Sequence, residues 1–338
     1  MHELSEKKLN MKHSLILSIL FYGASLICSS ASLVNGIDEN GLCVAIGRNL
    51  GISDVTLSSS IHGGDNKVFF VKNGASIVGL AKCYTKRNVH EVEKICQLSQ
   101  ALCKTLPIPC VKSLFMFHDI SVVLQDFLSG QHYEHLNEKQ LENIALSMAK
   151  IHSVNPDSCN MIINDKEFDY DQLLERCASF PDFKFILSLY RSFDLQYLST
   201  LPHALIHGDI SASNVLFVND EVSGIIDLDH ARFSYRLTDI ARAQVFFSFD
   251  AQGNLDETKV KQFVKAYQKN VVLRPEELNN FYSHLKLLLI KMAVETYYYV
   301  EVIKEVSPEI FKKSSFNQSW QLLLTKLHAI QDKSSLVL

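Results

Sequence analysis

Apolar runs separated by polar turns make up the first third of this chain, and helical periodicity takes over towards its C-terminus. Residues 61–71 read as strand, glycine-rich turn and strand, with Gly63, Gly64 and Asn66 at the turn. Residues 77–82, Ile-Val-Gly-Leu-Ala-Lys, read as a third strand ending in Lys82. A helix is expected over residues 89–104, because Val92, Ile95, Ser99 and Leu102 share one stripe with Leu98 beside it. Residues 121–130 predict a strand that runs into a connecting segment at Asp126 and Phe127. Leu141, Ile144, Ala145, Met148 and Ile151 then mark an amphipathic helix over 141–152. Further helices are expected over 173–187, 256–269, 275–306 and 308–331, with Pro275 suited to a first helical position. A helix should also precede the first strand, from Asp38 to Leu50, with Gly51 as its stop.

Between these blocks lies the segment with the most chemical content, residues 205–243. Short apolar runs at 204–206, 215–217 and 224–226 bracket Asp209, Asn214 and Asp227, and a turn-forming Asn219-Asp220-Glu221 separates the last two runs. The pattern predicts a loop, a β-hairpin and a carboxylate at the hairpin's exit. A carboxylate to take a hydroxyl proton, followed by an amide oxygen and a second carboxylate to hold Mg²⁺, is what transfer of a γ-phosphoryl group requires. Asp229 would either assist the metal or orient the loop.

His-Gly-Asp-x-x-x-x-Asn followed by Ile-Asp-x-Asp resembles the aminoglycoside phosphotransferase and choline kinase superfamily, small-molecule kinases with a protein-kinase-like fold. The resemblance runs over about residues 38–300 and is densest in the segment around Asp209. It implies an α+β, bilobal fold with an antiparallel sheet lobe over 38–128 and a mostly helical lobe over 129–338. It implies ATP and Mg²⁺ as cofactors, Asp209 as catalytic base, and Asn214 and Asp227 as metal ligands. Gly63, Gly64 and Asn66 would lie along the phosphates. Lys82 would meet the α- and β-phosphates, with Lys72 and Lys86 as nearby competitors. Glu91 or Glu93 would pair with Lys82, Glu91 being nearer the buried helix edge. Asp126 and Phe127 would present backbone groups to adenine.

Composition narrows the partners. The chain has 338 residues, 47% of them hydrophobic, and a net charge of −4 with no basic tract, so nucleic acid is not expected. Its eight cysteines contain no Cys-x-x-Cys, and Cys96, Cys103 and Cys110 stand seven apart. Reduced thiols in a cytoplasmic catalytic domain are the plain reading. Residues 14–37 carry no charge and are long enough to span a bilayer. Lysines ahead of them would put the catalytic domain outside, where ATP is scarce. A packed helix, a membrane anchor, a signal-like segment and a misplaced start codon therefore stay open for residues 1–37.

The expected acceptor is a small molecule carrying a hydroxyl. Residues 249–255, 263–267 and 273–277 and the hairpin Ser223-Gly224-Ile225-Ile226-Asp227 are similar to the bacterial homoserine kinases of this fold. Those enzymes usually carry His-Ala-Asp and Ile-Asp-Phe-Tyr-Phe-Ala, where this chain has His-Gly-Asp and Ile-Asp-Leu-Asp-His-Ala. It also lacks their Gly-Ile-Glu-Asn-Thr-Asn loop. A homoserine-like amino alcohol leads. It would need a cation for its carboxylate, from Arg232, Arg236 or Arg242, and Asp239 either for its ammonium or as a buried support of the loop. An aminoglycoside acceptor would need a wide acidic cleft, and no decisive acidic cluster stands in the last third. A non-catalytic relative would lack one of Lys82, Asp209, Asn214 or Asp227, and all four are present.

Overall fold

The computed structural model describes residues 37–59, 66–155, 174, 178–302 and 318–337. Gly63, Gly64, residues 1–36, and parts of the helices expected over 173–187, 275–306 and 308–331 lie outside the described residues.

Helix α1, Glu39–Leu50, starts where the Asp38 carboxylate accepts the Gly41 N–H at 3.0 Å, and stops at Gly51, whose φ of 68° a side chain would strain. Strands β1 (Val55–Ser59), β2 (Lys67–Asn73) and β3 (Ser76–Tyr84) follow, then helix α2 (Val89–Leu102) and strands β4 (Val111–Phe117) and β5 (Ile120–Gln125). The five strands form one antiparallel sheet in the order β1-β2-β3-β5-β4. Alternation along β2, β3 and β5 sends Phe69, Val71, Ala81, Val122 and Leu124 to one face, where Leu42 and Ile46 of α1 complete a small dry core. Lys82, one residue out of step, faces the other way.

The second half is helical. Helix α3, Glu138–His152, opens with a capping box between Asn137 and Gln140. Helix α4 covers Phe183–Ser192. After the short strand β6 (His203–Ile206) comes a hairpin, β7 (Val215–Val218) and β8 (Glu221–Ile225), closed by Asn219 and Asp220, both at positive φ. Strand β9, Arg232–Tyr235, pairs with β6 and leads into helix α5, Arg236–Phe247. Helices α6 (Glu257–Tyr267), α7 (Pro275–Asn279), α8 (Phe281–Tyr297) and α9 (Trp320–Ala329) complete the lobe. The single helix expected from Pro275 is broken at Asn280, whose side-chain amide donates to the Glu276 carbonyl at 2.9 Å and closes α7. One large core unites α3, α5, α6, α8 and α9 through Ile144, Met148, Ile240, Phe263, Leu289 and Leu327. This sheet lobe beside a helical lobe is the bilobal α+β architecture expected.

The expectation of uniformly reduced thiols is corrected at one place. Cys103 and Cys110 are joined as a disulfide, with Cα atoms 5.3 Å apart. The segment between them folds back, the Ile108 N–H donating to the Leu106 carbonyl at 2.8 Å. Among the described residues no helix is long and apolar enough to cross a membrane.

Candidate active site

Pairing of β6 with β9, in register to Ile206 opposite Arg232, brings the loop that carries Asp209 beside the residues that follow Asp227. The loop after β6 is held from below by Asp239 of α5, a fully buried carboxylate. Its Oδ2 accepts the His207 N–H at 2.6 Å and His152 Nε2–H at 3.2 Å, and its Oδ1 accepts the Gly208 N–H at 2.8 Å. Tyr267 of α6 steadies the other His152 nitrogen at 2.8 Å. Burial alone would raise the Asp239 carboxyl's pKa, but the bond from His152 and the His207 N–H outweigh it and hold it below the ordinary carboxylate range. Asp239 thus supports the loop, one of the two roles its position allowed.

Gly208 has φ 78°, and a Cβ there would lie 2.3 Å from the His230 carbonyl oxygen. The backbone of this loop passes too close to residue 230 to leave room for a side chain at position 208. His207, also buried, bridges the two ends. The Asp209 N–H donates to its Nδ1 at 3.2 Å, which leaves the proton on Nε2 to donate to the Ile226 carbonyl at 3.0 Å.

Asp209, Asn214 and Asp227 converge as expected of their spacing. The Asn214 amide donates to the Asp209 backbone carbonyl at 2.8 Å and to its Oδ2 at 2.9 Å, which turns the amide oxygen of Asn214 the other way. Arg242 of α5 donates through Nη2 to Asp209 Oδ1. Asp227 sits in the left-handed region, φ 69°, at the exit of the hairpin. Its side chain keeps 38% of its surface exposed, so it remains open to the cleft.

Lys82 crosses from the sheet lobe to meet it, with Nζ 2.6 Å from Asp227 Oδ1 and 2.8 Å from Asp229 Oδ1. Burial pulls the ammonium's pKa down, but the two carboxylates more than offset this and hold it well above the usual lysine value. Conversely, burial would raise Asp227, and Lys82 brings it below its ordinary value. Asp229 also accepts from Tyr84 Oη at 2.8 Å and from Asn66 Nδ2 at 2.7 Å, so Asn66 reaches into the same cluster.

Glu91 is not brought to Lys82, a correction to the expectation. It is the third residue of α2, and its carboxylate accepts the Asn88 N–H at 3.3 Å as part of a capping box. Glu93 pairs with His90. The face of α2 turned to the cleft instead carries Ile95 and Ser99, which line a pocket with Lys82, Tyr84, Val123 and Asp229. Asp229 does for Lys82 what a helix glutamate was expected to do. The period-two spacing of Lys82 and Tyr84 on β3 was the available signal that both face this carboxylate.

Asp126 and Phe127 lie just past β5, between the two lobes. The Asp126 N–H donates to the Cys110 carbonyl at 3.0 Å, and its carboxylate meets Lys112 at 3.0 Å. Phe127 is 40% exposed and packs edge-on to Phe70, with ring centroids 5.9 Å apart.

A profile of the phosphotransferase enzyme family matches residues 60–269, well over half of the chain and the whole of this cluster. The chain belongs to that family. Curated relatives include the homoserine kinase of Methylobacterium nodulans, 36% identical over 80 residues, which are 24% of this chain and 25% of that enzyme. The homoserine kinase of Bartonella henselae is 29% identical over 165 residues, 45% of this chain and 50% of that one. The alignments thus span a quarter to a half of these relatives' lengths. Among solved structures, a microcompartment-associated aminopropanol kinase superposes with a TM-score of 0.56 at 15% identity, covering 84% of this chain and 95% of that one. Amicoumacin kinase hAmiN, solved with AMP-PNP, Ca²⁺ and Ami, gives 0.57 at 13% identity over 88% and 95%. These likenesses carry the fold.

Proposed function

We propose that the protein is an ATP- and Mg²⁺-dependent kinase of a small hydroxylated metabolite, with a homoserine-like amino alcohol as the leading acceptor class. The observation that carries this reading is the convergence of Asp209, Asn214, Asp227 and Lys82 in one cleft between the lobes. The homoserine kinase relatives supply the acceptor class.

Asp209 is the base in this reading. The acceptor's O–H bond breaks and its proton passes to the Asp209 carboxylate. The freed oxygen bonds the γ-phosphorus as the bond from that phosphorus to the β–γ bridging oxygen breaks, and ADP leaves. Asn214 holds the carboxylate in place. Its amide oxygen and the exposed carboxylate of Asp227 are hard oxygen donors at a cleft, with coordination left for phosphate and water, which suits Mg²⁺. Bound there, the ion neutralises charge on the phosphate oxygens. Lys82 serves the α- and β-phosphates, and Asp229 keeps it aimed when they are absent. With the Asp126 N–H held by the Cys110 carbonyl, the Asp126 carbonyl and the Phe127 backbone are left to meet adenine.

The test is transfer from ATP to a panel of hydroxy amino acids, amino alcohols and aminoglycosides. Asp209→Asn should lower kcat by about 10²–10⁴-fold while Mg-ATP still binds. Full activity in that variant would refute the base assignment. Wild-type protein that neither binds Mg-ATP nor phosphorylates any acceptor would sink the kinase reading.

A further inference from the structure

We infer that Arg242 is the acceptor-reading residue of this site, and that the acceptor carries a carboxylate near its reactive hydroxyl. The inference rests on the kinase reading above and asks what kind of hydroxyl compound Asp209 can serve.

Arg242 is 8% exposed and rises from α5 directly against Asp209, with Nη2 on Oδ1. Its guanidinium lies over the Phe246 ring, 5.4 Å from the centroid, one helical turn on. Its Nε–H is buried and has no acceptor among the described residues. A buried guanidinium donor without a partner is costly, and a group that brings an acceptor removes the cost. Arg236, the nearest rival on the same helix, is committed elsewhere. Its Nε and Nη2 grip Glu277 at 2.8 and 2.5 Å, and Nη2 also donates to the Val272 carbonyl.

A carboxylate matches a guanidinium fork through two parallel N–H bonds, whereas an ammonium offers it no acceptor at all. The hydroxyl must reach Asp209 while the carboxylate reaches Arg242, and the two protein groups touch. The two substrate groups must therefore lie within a few bonds of each other, as in a short-chain hydroxy acid.

The experiment compares wild-type protein on L-homoserine, 4-hydroxybutyrate and 3-aminopropan-1-ol, which keep respectively both charged groups, the carboxylate alone and the ammonium alone. The expected kcat/KM for the two carboxylates exceeds that for the amino alcohol by on the order of 10²- to 10⁴-fold. Arg242→Ala should collapse that ratio towards one, and Arg242→Lys should restore part of it, chiefly through KM. Mg-ATP binding by each variant reports that the fold is intact, and the wild-type comparison stands whether or not the variants fold. Equal wild-type use of the amino alcohol, or an equal fall for all acceptors in Arg242→Ala, would overturn the inference and leave the kinase reading standing. Transfer to no acceptor would overturn both.

Discussion

Replacing Asp239 by asparagine changes one oxygen into an NH₂ group and almost nothing in volume, so its cost comes from hydrogen bonding alone. Three donors point at this buried carboxylate: two backbone N–H groups of the catalytic loop on opposite oxygens, and His152. An asparagine keeps one acceptor oxygen. Whichever way the amide turns, its NH₂ faces at least one N–H. One charge-assisted bond is then lost, at about 1.5–3 kcal/mol, and one buried donor is stranded, at about 1–3 kcal/mol. The expected destabilisation is about 2.5–6 kcal/mol, a large part of the roughly 5–15 kcal/mol that typically holds a domain. Denaturant unfolding at pH 7 measures it as a fall in midpoint at constant slope.

The same loop positions Asp209, so activity should fall as well. A misplacement of about 1 Å at a reacting group costs about 10²-fold in rate. The fall should appear in kcat, with the KM for ATP little changed, because Lys82 hangs from the other lobe. The pH dependence has a definite sign. The folded-state pKa of Asp239 is below its unfolded value, so its stabilisation is fully present above about pH 3.9 and is lost as pH falls through the folded value. The stability gap between wild type and Asp239→Asn should therefore be constant near neutrality and close at acid pH. A variant within 1 kcal/mol of wild type, with kcat within a factor of about three, would refute the reasoning, since that is below one charge-assisted bond.

Three more outcomes follow from the geometry. Asp229→Asn removes the charge that Lys82, Tyr84 and Asn66 share, and should raise the KM for ATP about tenfold or more with a smaller effect on kcat; steady-state kinetics that do not move would show that Asp229 is idle. Gly208→Ala should cost about 1–3 kcal/mol and most of the activity, because its Cβ would meet the His230 carbonyl at positive φ; unfolding and turnover that match wild type would show that the loop has room. Lys326, buried and donating to the Val245 carbonyl at 2.7 Å, has its pKa pushed down by burial to about 7. An unfolded lysine keeps its proton to about pH 10.4, so stability should rise with pH above 7 by at most about 1.4 kcal/mol per unit. Lys326→Met should flatten that slope between pH 7 and 9, and equal slopes in the two proteins would remove lysine 326 as the cause.

What could be read in advance divides along how local each feature is. Asp38 and Gly51 announced α1 because a cap acts within four residues. Asn219 and Asp220 announced the hairpin because its turn needs positive φ at both. Asp209, Asn214 and Asp227 were legible because one loop and one hairpin must carry all three at fixed spacing. Glu91 failed for a reason that is also local but was weighed too lightly: Asn88 three residues earlier competes for its carboxylate, and a capping box turns that side chain towards the helix end instead of the cleft. The Cys103–Cys110 pair was missed because a seven-residue spacing says nothing until the segment between them folds back. Arg242 shows the other limit. Its spacing from Asp209 carries no signal, since β6, the hairpin and β9 all intervene before α5 returns beneath the loop. Only that return separates three candidate arginines into one tied to Glu277, one bonded to the His230 carbonyl, and one on the oxygen of the proposed base. Asp209, Asn214 and Asp227, the residues of the proposed transfer, are thus tied together by one loop and one hairpin, while Lys82 and Arg242 join them only through tertiary packing. That is why the reaction could be read far earlier than its substrate.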